Sequence, residues 1–315
     1  MITALHHVGH VVRDLGAAMD LYARLGFSLP PPTCPALPPA DGLPPEPLGA
    51  ANTHAHFPGA FVELLTVVGE GAATRLPGDT RVTPLQVPAD RLPAFRSAVE
   101  ATTADLAAAL ARFEGAHILM LTPDDIDATA ARLRADGVAH GGVHTAQRSV
   151  ETAGGTRTSP VRFLELDGTG VPEGRVGYAQ NAGDGAGVAH PNGAVDLVES
   201  VLCVAAHDLP AAERRYERYL GRPARRDGER RTFDLAAAQV TLITPAGLAD
   251  LLPGERPPAL PAFAAYAVAV RDLAAAGRLL RDADVPVWES PAGDLFVPAA
   301  AALGVAIVFR QLVSR

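Results

Sequence analysis

Histidine and glutamate side chains occupy selected faces of three apolar segments. In HHVGHVV, strand alternation places Val8 and Val12 on the face that packs beneath a helix, and it places His7 on the opposite face. In FVELL the same alternation separates Glu63 from its apolar neighbours, and His117 begins a similar segment, HILML. Imidazoles and carboxylates from separate strands suit most divalent first-row metal ions. This pattern therefore indicates a metal centre.

Two more histidines lie on the segment next to FVELL. His54 and His56 alternate in THAHF, so both are expected on one face of a strand, the face that carries Glu63. An imidazole in such a place can act as a general base, contact a substrate or bind a metal. We assign His56 as the candidate base, with Glu63 as its catalytic partner, and His54 as a substrate contact.

The elements that must position these residues repeat four times. Each repeat begins with an apolar run of strand length, near residues 5, 116, 200 and 265, and continues through a polar break into a helix. Short alternating segments separated by Gly, Pro or Asp follow each helix. Each repeat is therefore predicted to be a βαβββ module.

The segments LHHVGHVVRDL, FVELL, VRFLELDG and HPNGA resemble the vicinal oxygen chelate superfamily, specifically its glyoxalase-like members. The resemblance implies an α+β fold in which four βαβββ modules pair into two glyoxalase/bleomycin-resistance-like domains. It also implies that a curved sheet cups a divalent metal. The expected domains are a metal-bearing one, residues 1–187 with modules 1–68 and 115–181 and a helical spacer between them, and a degenerate one, residues 188–315 with modules 195–246 and 262–312.

The resemblance implies that His7, Glu63 and His117 bind one divalent ion, and it does not distinguish Fe, Ni, Zn and Mn. The fourth ligand position of the family falls at Tyr178, where the sequence departs from the expected carboxylate or amide. Gln180 lies on the same strand face and is the substitute ligand. We expect both side chains to contact substrate.

The second half lacks such donors at the matching positions. Alignment of the repeats gives Ser200, Thr241 and Ala265 there, so we expect this half to bind no metal. His190 and Asn192 in HPNGA are expected to fix the crossing between the halves. The proline-rich residues 29–49 are predicted to form a mobile lid outside the cores, because prolines withhold backbone donors.

Composition excludes several functions. The chain has 315 residues, 48% of them hydrophobic, and a formal net charge of −8, which argues against a nucleic-acid partner. All its basic side chains are arginine, so chemistry that needs a lysine amine is excluded. No signal peptide or membrane span is evident, so a cytoplasmic protein is expected. The bias toward Ala, Arg and Pro indicates a bacterial source, and the expected partners are a small-molecule substrate and a second copy in a possible homodimer.

Two functions remain open. The first is a metal-dependent lyase, isomerase or Fe(II) dioxygenase that acts on a small oxygen-rich substrate by bidentate chelation. The second is a metal-free protein that binds and sequesters a small molecule of the antibiotic type. An aromatic-lined cleft is hard to build from 5% aromatic residues and one tryptophan, Trp288, so the enzyme is favoured.

Overall fold

The structure is a computed structural model that describes residues 1–39, 42–69, 76–152, 155–181 and 188–313. The first half contains ten strands and three helices in these described ranges. In chain order they are β1 (Ile2–Val11), α1 (Leu15–Arg24), β2 (Thr33–Leu37), β3 (Glu46–Pro47), β4 (Gly49–Phe57), β5 (Ala60–Val68), β6 (Arg81–Pro84), α2 (Leu92–Arg112), β7 (Gly115–Pro123), α3 (Ile126–Ala135), β8 (His144–Thr152), β9 (Gly155–Glu165) and β10 (Arg175–Asn181).

The second half repeats the pattern with shorter strands. In chain order its elements are β11 (Ala194–Cys203), α4 (Leu209–Leu220), β12 (Arg225–Asp227), β13 (Arg230–Asp234), β14 (Gln239–Ile243), α5 (Pro245–Leu251), β15 (Ala262–Val270), α6 (Leu273–Asp282), β16 (Trp288–Glu289), β17 (Leu295–Val297) and β18 (Ala306–Gln311). The predicted α+β fold of four βαβββ modules is confirmed.

The modules pair through their first strands. β1 runs antiparallel to β7 and parallel to β5, and β7 runs parallel to β10. In the second half β11 takes the place of β1, with β15 antiparallel and β14 parallel to it, and β18 lies parallel to β15. A single antiparallel pair, Phe263 with Ala116, joins the two sheets. In each half, therefore, the first strands of the two modules form a central antiparallel pair, and the last strand of each module lies beside its own first strand.

One continuous core lies on the helix side of both sheets. It contains residues of all four modules, including Leu5, Leu119, Leu202 and Phe309. Local sequence signals place the helices above it: Asp14 caps α1 by accepting from Ala17 N–H, and Asp125, Thr244 and Asp272 cap later helices in the same way. These caps fix where each helix begins over its sheet.

The spacer between the first two modules is a single helix, α2. Pro93 lies in its first turn, where a missing N–H leaves no hydrogen bond unmade. Leu106 on α2 packs against the face of the sheet opposite the main core, with Val11, Leu65 and Met120. This helix therefore covers one end of the concave face of the first sheet.

The proline-rich segment is part of the fold, contrary to the prediction of a lid outside the cores. Thr33 of β2 pairs with Asn52 of β4, and the same strand runs beside β6. Cys34 is fully buried and belongs to the main core. Residues 40 and 41 lie outside the described residues.

A further finding is that no helix in the described ranges is both long and apolar enough to cross a bilayer.

The HPNGA segment fixes the crossing between the halves, as predicted. The Nδ1 atom of His190 accepts from Ser28 N–H at 3.0 Å, so its Nε2 donates to the carbonyl of His56 at 3.0 Å. Asn192 Nδ2 donates to Leu25 O at 2.8 Å. Both side chains are buried and engaged by backbone of the first module. They are structural residues.

Candidate functional site

The concave face of the first sheet, opposite the main core, carries an apolar group and a polar group. An apolar group on this face consists of Val11, Leu65, Leu106, Ile118, Met120 and Ala179. Strand alternation along β1, β4 and β5 brings His7, His54 and Glu63 to the same face, beyond the part that α2 covers. We call the three side chains of His7, His54 and Glu63 the Glu63 cluster.

Glu63 is the centre of this cluster. His54 lies on β4 directly opposite Glu63, and its Nε2 is 3.6 Å from Glu63 Oε1. His7 Nε2, on the other neighbouring strand, is 3.9 Å from Glu63 Oε2. Asn52 Nδ2 donates to Glu63 Oε1 at 2.9 Å. The Glu63 side chain is only 13% exposed, so one shielded carboxylate receives groups from both flanking strands.

These neighbours set the protonation of Glu63. Burial raises its pKa, but the hydrogen bond and charge of His54, together with the charges of His7 and Arg175, outweigh burial and lower the pKa to about 2. Glu63 is therefore a carboxylate at neutral pH. A group with so low a pKa is a weak base, but it orients a neighbouring imidazole well.

The imidazole of His7 is held on two sides. Its ring stacks on Phe61, with centroids 4.4 Å apart and an interplanar angle of 11°. Its Nδ1 lies 2.7 Å from Nδ1 of His6, so one of the two nitrogens carries a proton. His6 is the extra residue of a β-bulge, because Leu5 pairs with Leu121 and His7 pairs with Met120. The contact with His6 leaves Nε2 of His7 directed at Glu63.

His54 and His56 lie together, as the alternation in THAHF predicts. Their ring centroids are 5.2 Å apart, and His56 lies opposite Phe61. His54 therefore lies next to Glu63, while His56 lies two residues further along β4, opposite Phe61. Of these two histidines, His54 is the better placed to exchange a proton with a group bound at Glu63.

The second module adds a charged pair to the concave face. Arg175 of β10 pairs in register with Ile118, and its Nη2 donates to Glu165 Oε1 at 2.6 Å. Burial lowers the pKa of Arg175, but the charge and hydrogen bond of Glu165, then the charges of Glu63 and Asp105, outweigh burial and raise it. The guanidinium thus remains charged between carboxylates from three elements, β5, β9 and α2.

The structure does not bring His117 to this cluster. Gly9 pairs with Ile118 and His10 with Ala116, so His117 is the extra residue of a bulge in β7. Its Nε2 donates to Phe113 O at 2.9 Å, and its Nδ1 has no partner among the residues that the structure describes. In the metal set predicted from the sequence, His7 and Glu63 meet and His117 lies apart.

Tyr178 and Gln180 were predicted to contact substrate, but their side chains lie on the face of the sheet opposite the Glu63 cluster. Tyr178 is fully buried in the main core and donates to Tyr219 O at 2.8 Å. Gln180 binds the start of α3, since its Nε2 donates to Asp124 O at 2.9 Å. Alternation on β10 brings Gly177 and Ala179 to the concave face. The predicted register was off by one residue.

The donor types at Glu63 fit a divalent ion better than their spacing does. Two imidazoles and one deprotonated carboxylate face one another, which is a ligand set that iron, nickel, zinc and manganese all accept. The partner strands of the second module add Ile118 and Gly177, which have no donor side chain. In the described part of the chain no three His, Cys, Asp or Glu side chains have the spacing of a formed metal site. An ion would have to draw the two imidazoles inward.

The matching face of the second half holds an ion-pair network. Glu199, and not Ser200 as predicted, shares the face of Thr241, whose Oγ1 donates to Glu199 at 2.5 Å. Arg310 donates to Glu199 and to Asp294, both at 2.9 Å. Every charge in this network has a partner of opposite sign. The network therefore serves packing, and it offers no imidazole.

Sequence reasoning missed Asn52, Phe61 and Arg175. Asn52 could have been found, because it shares the alternation of His54 and His56 in NTHAHF. Phe61 could have been found through its alternation with Glu63 in the same strand. Arg175 carried no such signal, because its face depends on how β10 pairs with β7. The missed residues are those that bind Glu63, stack on His7 or lower the pKa of Glu63 by their charge.

Comparisons with known proteins agree with this architecture. Residues 5–220 match a sequence model described as a glyoxalase-like domain. No protein with a curated description is significantly similar in sequence.

Solved structures show the same fold at low identity. A variant of 4-hydroxymandelate synthase from Streptomyces coelicolor aligns with a TM-score of 0.58 and 14% identity, over 100% of this chain and 94% of that one. A hypothetical protein from Staphylococcus aureus aligns with a TM-score of 0.56 and 10% identity, over 99% and 100%. These likenesses extend over both halves of the chain, beyond the range of the sequence match.

Proposed function

Because the chain belongs to the glyoxalase-like domain family, we propose that it is an enzyme of the vicinal oxygen chelate superfamily that acts on a small oxygen-rich substrate at the Glu63 cluster. The observation that carries this proposal is the convergence of His7 and His54 on one shielded, deprotonated carboxylate. Structural histidines elsewhere in the chain, such as His10 and His190, bind backbone or tyrosine instead.

Proton transfer is the chemistry that these residues can perform. Because Nε2 of His54 faces a carboxylate, this nitrogen carries the proton, which leaves Nδ1 as an acceptor. Nδ1 has no hydrogen-bond partner among the described residues. Glu63 holds the ring and stabilises its cationic form after it takes a proton. Such a pair suits abstraction of a proton next to a carbonyl, as an isomerase or a lyase requires.

A divalent ion is the alternative chemistry of the same residues, since a nitrogen of His54 that binds an ion cannot also carry the proton, and its ligand set differs from the one predicted. His7, Glu63 and His54 would hold it, with His54 in place of His117. When bound, such an ion would polarise the oxygens of a chelating substrate or, if it is iron, permit dioxygenase chemistry. The supporting observation is that the two imidazole nitrogens lie 3.9 and 3.6 Å from the same carboxylate.

Elemental analysis of the purified protein and three variants tests the ion. We expect close to one ion per chain in the wild type, at least tenfold less in His7→Ala and Glu63→Gln, and wild-type content in His117→Ala. Retention of metal in Glu63→Gln, or its loss in His117→Ala alone, would contradict this ligand set. Metal-free wild-type protein would leave proton transfer as the only proposed chemistry.

Hydrogen exchange tests the proton transfer. We expect the protein to catalyse exchange of the carbon-bound protons of a small hydroxyketone, such as dihydroxyacetone, in deuterated water, followed by NMR. His54→Gln and Glu63→Gln should lose this activity, because each removes one partner of the pair. His140→Gln is the matched control, since His140 binds Ala130 O outside the cup. Substrate binding without exchange or turnover across a panel of small carbonyl compounds would instead favour a sequestering protein.

A further inference from the structure

We infer that Arg175 is the anion-binding residue of the cup and that the substrate carries a carboxylate. This inference rests on the proposed function, since it names the class of substrate for the same site. Arg175 is the one charged side chain that β7 and β10 direct to the concave face within the described residues. The other side chains there are those of Ile118, Met120 and Ala179.

The next residue of β10 on the concave face has no side chain that could contact Arg175. Gly177 follows it on the same face, and a Cβ atom at Gly177 would lie 2.5 Å from Leu164 O and 2.9 Å from the Met120 sulfur. No side chain fits at that position without a shift of the backbone. The second module therefore presents a guanidinium to the cup, beside a glycine whose Cβ position is already filled by Leu164 O and the Met120 side chain.

Most of the hydrogen-bond donors of Arg175 have no acceptor among the described residues. Of its five N–H donors, only one on Nη2 has an acceptor within the described part of the chain, Glu165 Oε1 at 2.6 Å. The Arg175 side chain is 28% exposed, and the Glu165 side chain is 37% exposed. A guanidinium can bind a carboxylate through two parallel hydrogen bonds, which a single contact with Glu165 does not use.

Glu165 is well placed to be displaced by a substrate. Its exposure lets it return to water at little cost, whereas Glu63 is shielded and already engaged by Asn52 and His54. Glu165 lies on β9, on the side of β10 away from β7, so a small carboxylate that draws Arg175 away from Glu165 would lie on the side of β7, in the row of residues that runs from Arg175 through Ile118 and Gly9 to Glu63. Its carbon atoms would then extend toward Glu63, and Ile118 and Met120 would supply apolar contacts.

A pair of probes that differ in charge but hardly in shape tests this inference. Propionate and propionamide are titrated separately into the full-length protein, and binding is followed by NMR, including the arginine Nε–Hε signals. We expect propionate to bind about tenfold more tightly than propionamide, as a charge-assisted hydrogen bond would give. In Arg175→Gln this preference should disappear.

Two further variants separate the explanations. Glu165→Gln should strengthen propionate binding, because it weakens the resident competitor. Arg162→Gln should leave the preference unchanged, since Arg162 binds Asp127 outside the cup. A preference that survives Arg175→Gln, or weaker propionate binding in Glu165→Gln, would overturn the inference. Loss of the preference in Glu63→Gln but not in Arg175→Gln would assign the anion to a metal ion instead. A protein without metal or turnover can still show the Arg175 preference, so failure of the proposed function remains distinguishable.

Discussion

Removal of the Arg215 side chain should destabilise the contact between the two halves. Glu173, in the connection before β10, is fully buried and lies 2.9 Å from Arg215 Nη2 on α4. Tyr216 donates to its other oxygen at 2.8 Å. In Arg215→Ala the carboxylate would keep only the neutral tyrosine partner. A buried charge that loses its counter-ion is strongly destabilising.

The magnitude follows from burial. Breaking a buried pair costs about 3–5 kcal/mol, and Arg215 itself is 20% exposed, which favours the lower end, about 3 kcal/mol. The matched control is Arg226→Ala. Arg226 is 69% exposed, and its partner Glu213 keeps a second bond to Arg231 at 2.9 Å, so only a small loss is expected.

Urea unfolding measures both variants. Far-UV circular dichroism follows both halves, and the fluorescence of Trp288 follows the second half, so separate unfolding of the halves would be visible. The double variant Arg215→Ala/Glu173→Ala should be less destabilised than the sum of the single losses, because neither charge is then left alone. Equal losses in Arg215→Ala and Arg226→Ala would refute the reasoning from burial.

Three other predictions concern buried groups. Burial lowers the pKa of His10 from 6.5 to about 4, so the folded state binds this proton less readily than the unfolded state and stability should fall as the pH drops from 6.5 to 4. This contribution is worth up to about 3 kcal/mol, and His10→Gln should remove it from a series of unfolding curves between pH 7 and 4. Tyr178→Phe should lower stability by about 1 kcal/mol, because its hydrogen bond to Tyr219 O is lost. Catalysed exchange of substrate protons and metal content should stay unchanged, and loss of either would show that Tyr178 belongs to the functional site. Gly177→Ala should lower the melting temperature, because its Cβ would press on Leu164 O, and an unchanged melting temperature would show that β10 can shift.

The sequence by itself determined the modules and much of one side of the site. Strand alternation is a local property, so the valines of β1 and β5 were enough to assign His7 and Glu63 to one face. The same reasoning paired His54 with His56, whereas the resemblance of HPNGA to the family segment that joins the halves identified His190 and Asn192 as structural residues. Helix caps such as Asp14 act within a few residues and are equally local.

Only the tertiary structure decided the second module's contribution. A bulge inserts one residue into a strand, and every later side chain then changes face. The bulge at His117 removed it from the metal set, and an error of one residue in register exchanged Tyr178 for Gly177. Such shifts depend on the partner strand, which local alternation cannot reveal. For the same reason the position of Arg175 on the face that carries Glu63 became visible only when β7 and β10 were paired.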